Sequence, residues 1–218
     1  MKLTRNEIIP KNIQLAVTKI SFKNSAKNQA MWDKLLDPLN EQISTNDTLE
    51  DIRNSEQIKA TKASYKELGK DPSRFRPSSD ALWRRVVKGK GLYQINALVD
   101  LNNYLSLKYK MPFGSYDLNK VSGDINLTKG ESGASYAGIG KSDINIENLL
   151  VLADDDGPFG SPTSDSTRAM ISDDTVSGLV VGYLFGVSLD DAAELQKGVV
   201  DVVGRFLDDA VVLEQDLI

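Results

Sequence analysis

Cysteine and histidine are both absent from this 218-residue chain, and no apolar run reaches the length of a bilayer span. The lack of cysteine rules out disulfides and thiolate metal sites. The lack of histidine removes Ser-His-Asp and Cys-His hydrolysis and the common zinc sites. Any general base must therefore be Asp, Glu, Lys or Tyr, or come from the substrate. Neither G-x-x-x-x-G-K-[ST] nor G-x-G-x-x-G occurs, and Lys88-Gly89-Lys90-Gly91 reads as a helix stop with charge. ATP use has no support, and no cofactor or metal is expected. No G-x-S-x-G elbow presents a nucleophilic serine. Met1 to Pro10 is polar, so no signal peptide is read there, and a cytoplasmic protein with no membrane or DNA partner is expected.

Positive charge is outnumbered, with 26 Lys and Arg against 31 Asp and Glu. The net charge is −5 and the pI near 4.9, so bulk electrostatics would not attract RNA. Its distribution is uneven. Lys62, Lys66, Lys70, Arg74, Arg76, Arg84, Arg85, Lys88 and Lys90 face only Glu67, Asp71 and Asp80 in the same stretch, and the chain turns acidic after Asp154. Such a basic face can meet a phosphate backbone. Equally, it can be a solvated helix pair whose charges offset the acidic C-terminal part.

The length fits one domain, or a domain with an appendage. Alternation predicts a strand over Ile13 to Phe22. Ser25 to Ile43 reads as a helix with Pro38 as a break. Thr48 to Leu68 reads as a second, with Asp47 as N-cap and Gly69 past its end. Lys70 to Pro77 is a linker. Ser78 or Ser79 can cap a helix from Asp80 to Val87, stopped by Gly89 and Gly91. Further on, strands are predicted over Asp124 to Thr128, Asn148 to Ala153, Val176 to Phe185 and Val211 to Glu214. Lys129 to Ile139 suits a hairpin or pocket rim, Asp154 to Thr167 a long polar loop, and Leu189 to Leu207 a helix. Helices and strands out of strict alternation indicate α+β.

The stretch from Asn96 to Ile125 is the most informative. Leu98, Leu101, Leu105 and Tyr109 form one helical face, and Pro112 and Gly114 are expected to end the helix. Gly114-Ser115-Tyr116-Asp117 then reads as a polar loop between helix and sheet. Such a loop can face a ligand. Alternatively, Asp117 caps a turn and Tyr116 packs on the core. Asp154-Asp155-Asp156-Gly157 reads as a turn, because Pro158 and Phe159 stand where a calcium loop would need oxygen ligands.

Asn96, Val99, Asp100, Asn103, Tyr104, Pro112, Tyr116, Asp117, Leu118, Lys120 and Gly123 spell N-x-x-V-D-x-x-N-Y followed by P-x-x-x-Y-D-L-x-K-x-x-G. This pattern resembles the B3/4 domain of the phenylalanyl-tRNA synthetase β subunit, a tRNA-binding and editing domain. Ala153 to Gly157, Asp173 to Thr175 and Arg76 to Val86 resemble other parts of it, so the likeness covers roughly residues 15 to 212. It implies a three-layer β-β-α sandwich, formed as one domain with an N-terminal strand and helices over 1–70 and a core over 71–218. The chain is too short for a whole synthetase subunit of that kind. One departure stands out: Gly114 occupies the position where the resembled domain places a histidine in its editing pocket.

The resemblance also implies a pocket between the Asn96 to Tyr104 helix end, the Gly114 to Asp117 loop and the Ser161 to Arg168 loop. Asp165 or Asp117 would orient water or read the amino acid, and Ser115 and Thr163 would supply hydrogen bonds. Asn96, Asp100, Asn103, Tyr116, Ser161 and Arg168 complete the candidate set, Arg168 as an anion clamp or as a partner of Asp173 or Asp174. Arg74, Arg76, Arg84, Arg85 and Lys88 would contact the tRNA backbone. The leading expectation is a free-standing relative that binds tRNA or its aminoacyl end and hydrolyses a mischarged ester. A second is a non-catalytic RNA- or small-molecule-binding module, and a third is a protein that docks on a synthetase.

Overall fold

Strand β2 (Ile13–Lys23) sets the layering of the molecule. Ile13, Leu15 and Val17 point to one side of it, and Ala16, Ile20 and Phe22 to the other, and all six are buried. A strand buried on both faces must lie in a middle layer. The computed structural model describes residues 1–140 and 142–218. In it β2 pairs with β9 (Ser177–Phe185) and β10 (Asp208–Leu217), and β9 also pairs with β3 (Phe113–Asp117), giving an antiparallel sheet in the order β10-β2-β9-β3. A second sheet combines β1 (Leu3–Arg5), β4 (Ile125–Lys129), β7 (Leu150–Asp154) and β8 (Gly157–Gly160), in that order, with β1 parallel to β4. The strands β5 (Ser135–Ala137) and β6 (Asp143–Asn145) form a separate hairpin.

Leu15, Val17, Leu179 and Val181 of one sheet pack on Ile125, Leu127, Leu152 and Phe159 of the other. The opposite face of the first sheet, through Ile20, Phe22, Val180 and Leu184, packs on α6 (Ala97–Tyr109) and α7 (Leu189–Phe206). The expected β-β-α sandwich is therefore the observed architecture. A smaller helical cluster stands beside it. Ile43 of α2 (Asp37–Asn46), Ile52 of α3 (Leu49–Asn54), Ile58 of α4 (Glu56–Leu68), and Trp83 and Val86 of α5 (Ser78–Val87) bury one another, with Leu107 of α6.

Several boundaries differ from expectation, each for a local reason. Pro38 does not break its helix. The short α1 (Gln29–Met31) runs into a π turn over Trp32–Leu36, whose wider loop lets Asp37 N–H bond the Trp32 carbonyl, and Pro38 then sits in the first turn of α2. There its missing N–H costs no ordinary helical bond. The predicted helix over Thr48 to Leu68 is two. Thr48, rather than Asp47, caps α3 in a reciprocal pair with Asp51, and Ser55 stops α3 while capping α4. Ser78 and Ser79 lie inside α5, whose N-cap is Pro77. Lys110, in the left-handed region at φ 55°, ends α6 ahead of Pro112.

The largest difference is at Gly114 to Asp117, which forms a strand. Its backbone pairs with Gly178 to Val181 of β9, and a composition suited to a loop gives way to that ladder. Asp154 to Thr167 likewise opens with a hairpin strand, β8, after the Asp155-Asp156 turn.

Lys70, only 5% exposed, anchors the β5–β6 hairpin. Its Nζ donates to the Asn145 carbonyl at 3.0 Å, to Asn145 Oδ1 at 2.8 Å and to the Glu147 carbonyl at 2.7 Å, and it lies 3.6 Å over the Phe75 ring. Lys70→Met removes all three bonds, leaving Asn145 Oδ1 only Glu147 N–H, so a loss of about 3 kcal/mol in urea unfolding is expected, with faster amide exchange over 135–137 and 143–145. An unchanged midpoint would show that the ammonium is not the anchor.

Candidate functional site

A cavity of about 500 Å³ opens between the helical cluster and the β3 edge of the middle sheet. One wall is α5, through Ser78, Ala81 and Leu82. The next is α6, through Val99, Asn102 and Asn103, with Ile95 ahead of it. Phe113 and Ser115 of β3 form the floor, and Thr163, Asp165, Met170 and Ile171 of the β8–β9 connection close the far side, with Ile139 on the rim. The size suits a small-molecule group, and the lining is mainly apolar with a few convergent polar atoms. Two lining residues also carry an atom buried behind the wall without a hydrogen-bond partner among the described residues, Ser78 Oγ and Asn102 Oδ1. The Asn102 amide is oriented by its Nδ2, which donates to the Phe113 carbonyl at 3.0 Å.

Asp165 is the one carboxylate in the lining. Its Oδ1 accepts from the Tyr116 hydroxyl at 2.7 Å and from Ser161 N–H at 3.0 Å, while its Oδ2 takes no hydrogen bond among the described residues. Burial pushes its pKa up to about 6, and the hydrogen bonds from Ser161 and Tyr116 pull against that rise. A carboxyl so placed exchanges a proton near neutral pH, as acid–base work requires.

Beneath Asp165 stand four of the seven tyrosines. The Tyr183 hydroxyl lies 2.7 Å from that of Tyr116, Tyr65 bonds Thr163 Oγ1 at 2.9 Å, and Tyr136 donates to the Ser164 carbonyl at 2.6 Å. Burial raises the pKa of all four, so they remain protonated donors. Ser161 Oγ ties the loop to itself, donating to the Ser164 carbonyl at 2.8 Å and accepting from Ser164 N–H at 3.1 Å. The serine-rich segment is thus a fixed wall resting on aromatic hydroxyls. Sequence reading missed this support and the α5 wall. The one visible signal was Tyr183, a hydroxyl-bearing ring inside an otherwise apolar buried strand core.

Of the residues expected at the site, Asn103, Ser115, Thr163 and Asp165 line the cavity, with Tyr116 and Ser161 directly behind Asp165. The others do not line it. Asn96 caps α6 by accepting Val99 N–H at 3.1 Å. Asp100 is buried against Trp32 Nε1 at 2.7 Å and Ile95 N–H at 2.9 Å, which holds Ile95 at the rim. Asp117 accepts from Thr175 Oγ1 at 2.8 Å and Asn119 N–H at 3.0 Å, a turn-capping role. Arg168 is spent on Asp154, at 2.7 and 2.9 Å, and does not pair with Asp173 or Asp174. The Asp154 to Gly157 segment is a turn, and no cluster able to hold a metal occurs among the described residues.

Gly114 faces away from the cavity. A Cβ there would come within 2.7 Å of Tyr116 Cζ and closer still to its hydroxyl, so a side chain at this position would enter the space between the sheets. Its neighbour Ser115 is the residue that reaches the cavity.

The basic residues divide. Arg74 and Arg76 are exposed and line a second groove of about 480 Å³ with Asn145 and Ser164, and that groove shares Ala81 and Thr163 with the first. Arg84 is paired through Nε with buried Asp80, which Lys62 also meets at 2.8 Å and Arg76 Nε at 4.0 Å. Arg85 lies over the Tyr93 ring at 3.9 Å, and Lys88 is exposed at the end of α5.

Among known families, a model described as the B3/4 domain matches residues 60–189. The phenylalanine-tRNA ligase beta subunit of Chromobacterium violaceum is 32% identical over 80 residues, 36% of this chain and 10% of that protein. Its counterpart in Aliivibrio fischeri is 26% identical over 161 residues, 66% of this chain and 20% of that protein. The chain therefore spans a small fraction of the curated relatives it matches. A solved N-terminal fragment of the phenylalanyl-tRNA synthetase beta-subunit from Pyrococcus horikoshii aligns with 99% of this chain and 50% of its own, at 11% identity and a TM-score of 0.45. No helix among the described residues is long and apolar enough to cross a membrane.

Proposed function

The chain belongs to the B3/4 domain family, and from that premise we propose that it binds the aminoacyl end of tRNA in the Asp165 cavity and hydrolyses a mischarged ester. Kinship with ligase subunits named for tRNA supports the choice of substrate. The observation that carries the chemistry is Asp165, fixed through one oxygen by Tyr116 and Ser161 and open through the other in a cavity of about 500 Å³.

An aminoacyl ester is already activated, so hydrolysis needs a placed water and a polarised carbonyl more than a strong nucleophile. Asp165 Oδ2 takes a proton from water as the water oxygen attacks the ester carbon. The bond from that carbon to the ribose oxygen then breaks, and Asp165 returns the proton to the departing oxygen. Ser115 and Thr163 supply hydroxyl donors to the developing oxyanion. Leu82, Val99, Phe113 and Ile171 receive the amino-acid side chain, and Arg74 and Arg76 in the adjoining groove take phosphates.

The test is single-turnover deacylation across a panel of aminoacyl-tRNAs, run with wild type and Ala81→Trp. Ala81 is exposed on the cavity wall, so the indole fills the cavity without disturbing the core. One or a few substrates should lose their ester at least tenfold faster than in buffer, and Ala81→Trp should return that rate to background (roughly, from the size of acid–base effects). A panel hydrolysed at background rates throughout removes the hydrolase reading. If a non-hydrolysable aminoacyl-adenosine still binds and Ala81→Trp blocks it, the binding-module reading replaces it.

A further inference from the structure

We propose that Tyr93, backed by Arg85, is a nucleobase-docking site at the cavity mouth that takes an unpaired base of a single-stranded RNA end. The inference rests on reading the cavity as a site for the aminoacyl end of RNA, and it adds a contact that neither the cavity nor the arginine groove supplies.

Ser78, Leu82 and Arg85 follow one another at four- and three-residue steps, so they share one stripe of α5. The stripe begins in the cavity wall at Ser78 and Leu82 and continues to Arg85, one turn beyond Leu82. There the guanidinium lies 3.9 Å from the centre of the Tyr93 ring, steadied by Nη2 donating to the Lys90 carbonyl at 3.3 Å. Arg85 covers one face of the ring. The residue is nevertheless 64% exposed, so the other face is open to solvent. A tyrosine present only to cover an arginine stem would gain more by packing both faces.

The surroundings match the same ligand. Ile95, two residues after Tyr93, is 52% exposed on the cavity lining, and Ile139 and Met170 on the same rim are 44% and 38% exposed. These three side chains come from separate segments and make an apolar collar suited to a flat ring. Lys88 and Lys90, both exposed beside the stack, supply charge for the backbone of the same strand. An exposed aromatic face backed by arginine, with lysines alongside, is the arrangement that holds splayed-out bases.

The test measures binding of a labelled RNA tetranucleotide, ACCA, by anisotropy, against an oligomer of equal length that is abasic throughout. Tyr93→Ala should weaken ACCA binding about tenfold, whereas Tyr93→Phe, which keeps the ring, should stay within about twofold. Wild type should lose at least the same factor on the abasic oligomer, and Tyr93→Ala should cost nothing further there. Equal ACCA affinities for wild type and Tyr93→Ala, or equal losses on both oligomers, would overturn the docking site, as would absence of ACCA binding to wild type. Ring-dependent ACCA binding without any ester hydrolysis would sustain the docking site and remove only the hydrolase reading.

Discussion

Asp165→Asn is expected to slow ester hydrolysis about a hundredfold or more while leaving the protein folded. The asparagine keeps an acceptor for Tyr116 and Ser161, so the loop loses no hydrogen bond. What disappears is the proton-accepting oxygen. The wild-type rate should climb with pH through about 6, where Asp165 ionises, and then level off, whereas the variant's rate should lack that step. Stability supplies a second readout. The folded pKa of Asp165 is raised, so the stability it contributes is fully present below about pH 4 and lost as pH rises through about 6, with a total of about 3 kcal/mol at most. Asp165→Asn should remove that slope and match or exceed wild type in urea at pH 7. A variant that hydrolyses esters like wild type would end the assignment of Asp165 as the base. A variant that fails to fold would instead make Asp165 a structural residue.

Gly114→Ala should destabilise the protein by about 4 kcal/mol, a drop of roughly 10 °C in thermal unfolding. The Tyr116 ring lies between Gly114 of β3 and Gly160 of β8, and a Cβ on either would sit 2.7 or 2.5 Å from its Cζ. The ring has no room to yield. It is fully buried, meets Phe159 edge-on with centroids 5.1 Å apart, and is bonded to both Asp165 and Tyr183. Gly160→Ala should cost a similar amount from the opposite sheet. Because the hydroxyl is the closest atom, Gly114→Ala should cost less in a Tyr116→Phe background, and the difference measures the clash. If Gly114→Ala melts with wild type, the ring is not wedged as described.

Much of the architecture could be read from periodicity. The alternation in β2 depends on a few consecutive residues and appears as expected, whereas α6 is buried on more than one face: Leu98, Leu101 and Leu105 meet the sheet side, Leu107 meets the helical cluster, and Asp100 and Ser106 are buried as well. The errors cluster where distant partners outvote local composition. Gly114-Ser115-Tyr116-Asp117 has the residues of a loop, and only pairing with β9, more than sixty positions away, makes it a strand. The break at Ser55 was legible in principle, since Thr48 with Asp51 and Ser55 before Glu56 are both helix starts, but an unbroken apolar pattern masked it. At the site, Asp165, Ser115, Asn103 and Thr163 were legible through family resemblance. Tyr116 was named as well, but the other tyrosines beneath Asp165 were not, because Tyr65, Tyr136 and Tyr183 arrive from three further elements. The same holds for Asn96, Asp100 and Arg168, whose polar groups look available in one dimension and are consumed by neighbours in three.

The π turn at Trp32–Leu36 has a consequence for the cavity. Met31 just ahead of it and Leu36 at its end pack against the sheet and α6; after it, Ile43 packs among the helices that carry α5. One extra backbone position swings the downstream half of the helix by about 100°, and without it Ile43 would face away from those helices. The segment is therefore a tie-beam joining two separately packed masses, and the cavity is the gap those masses leave.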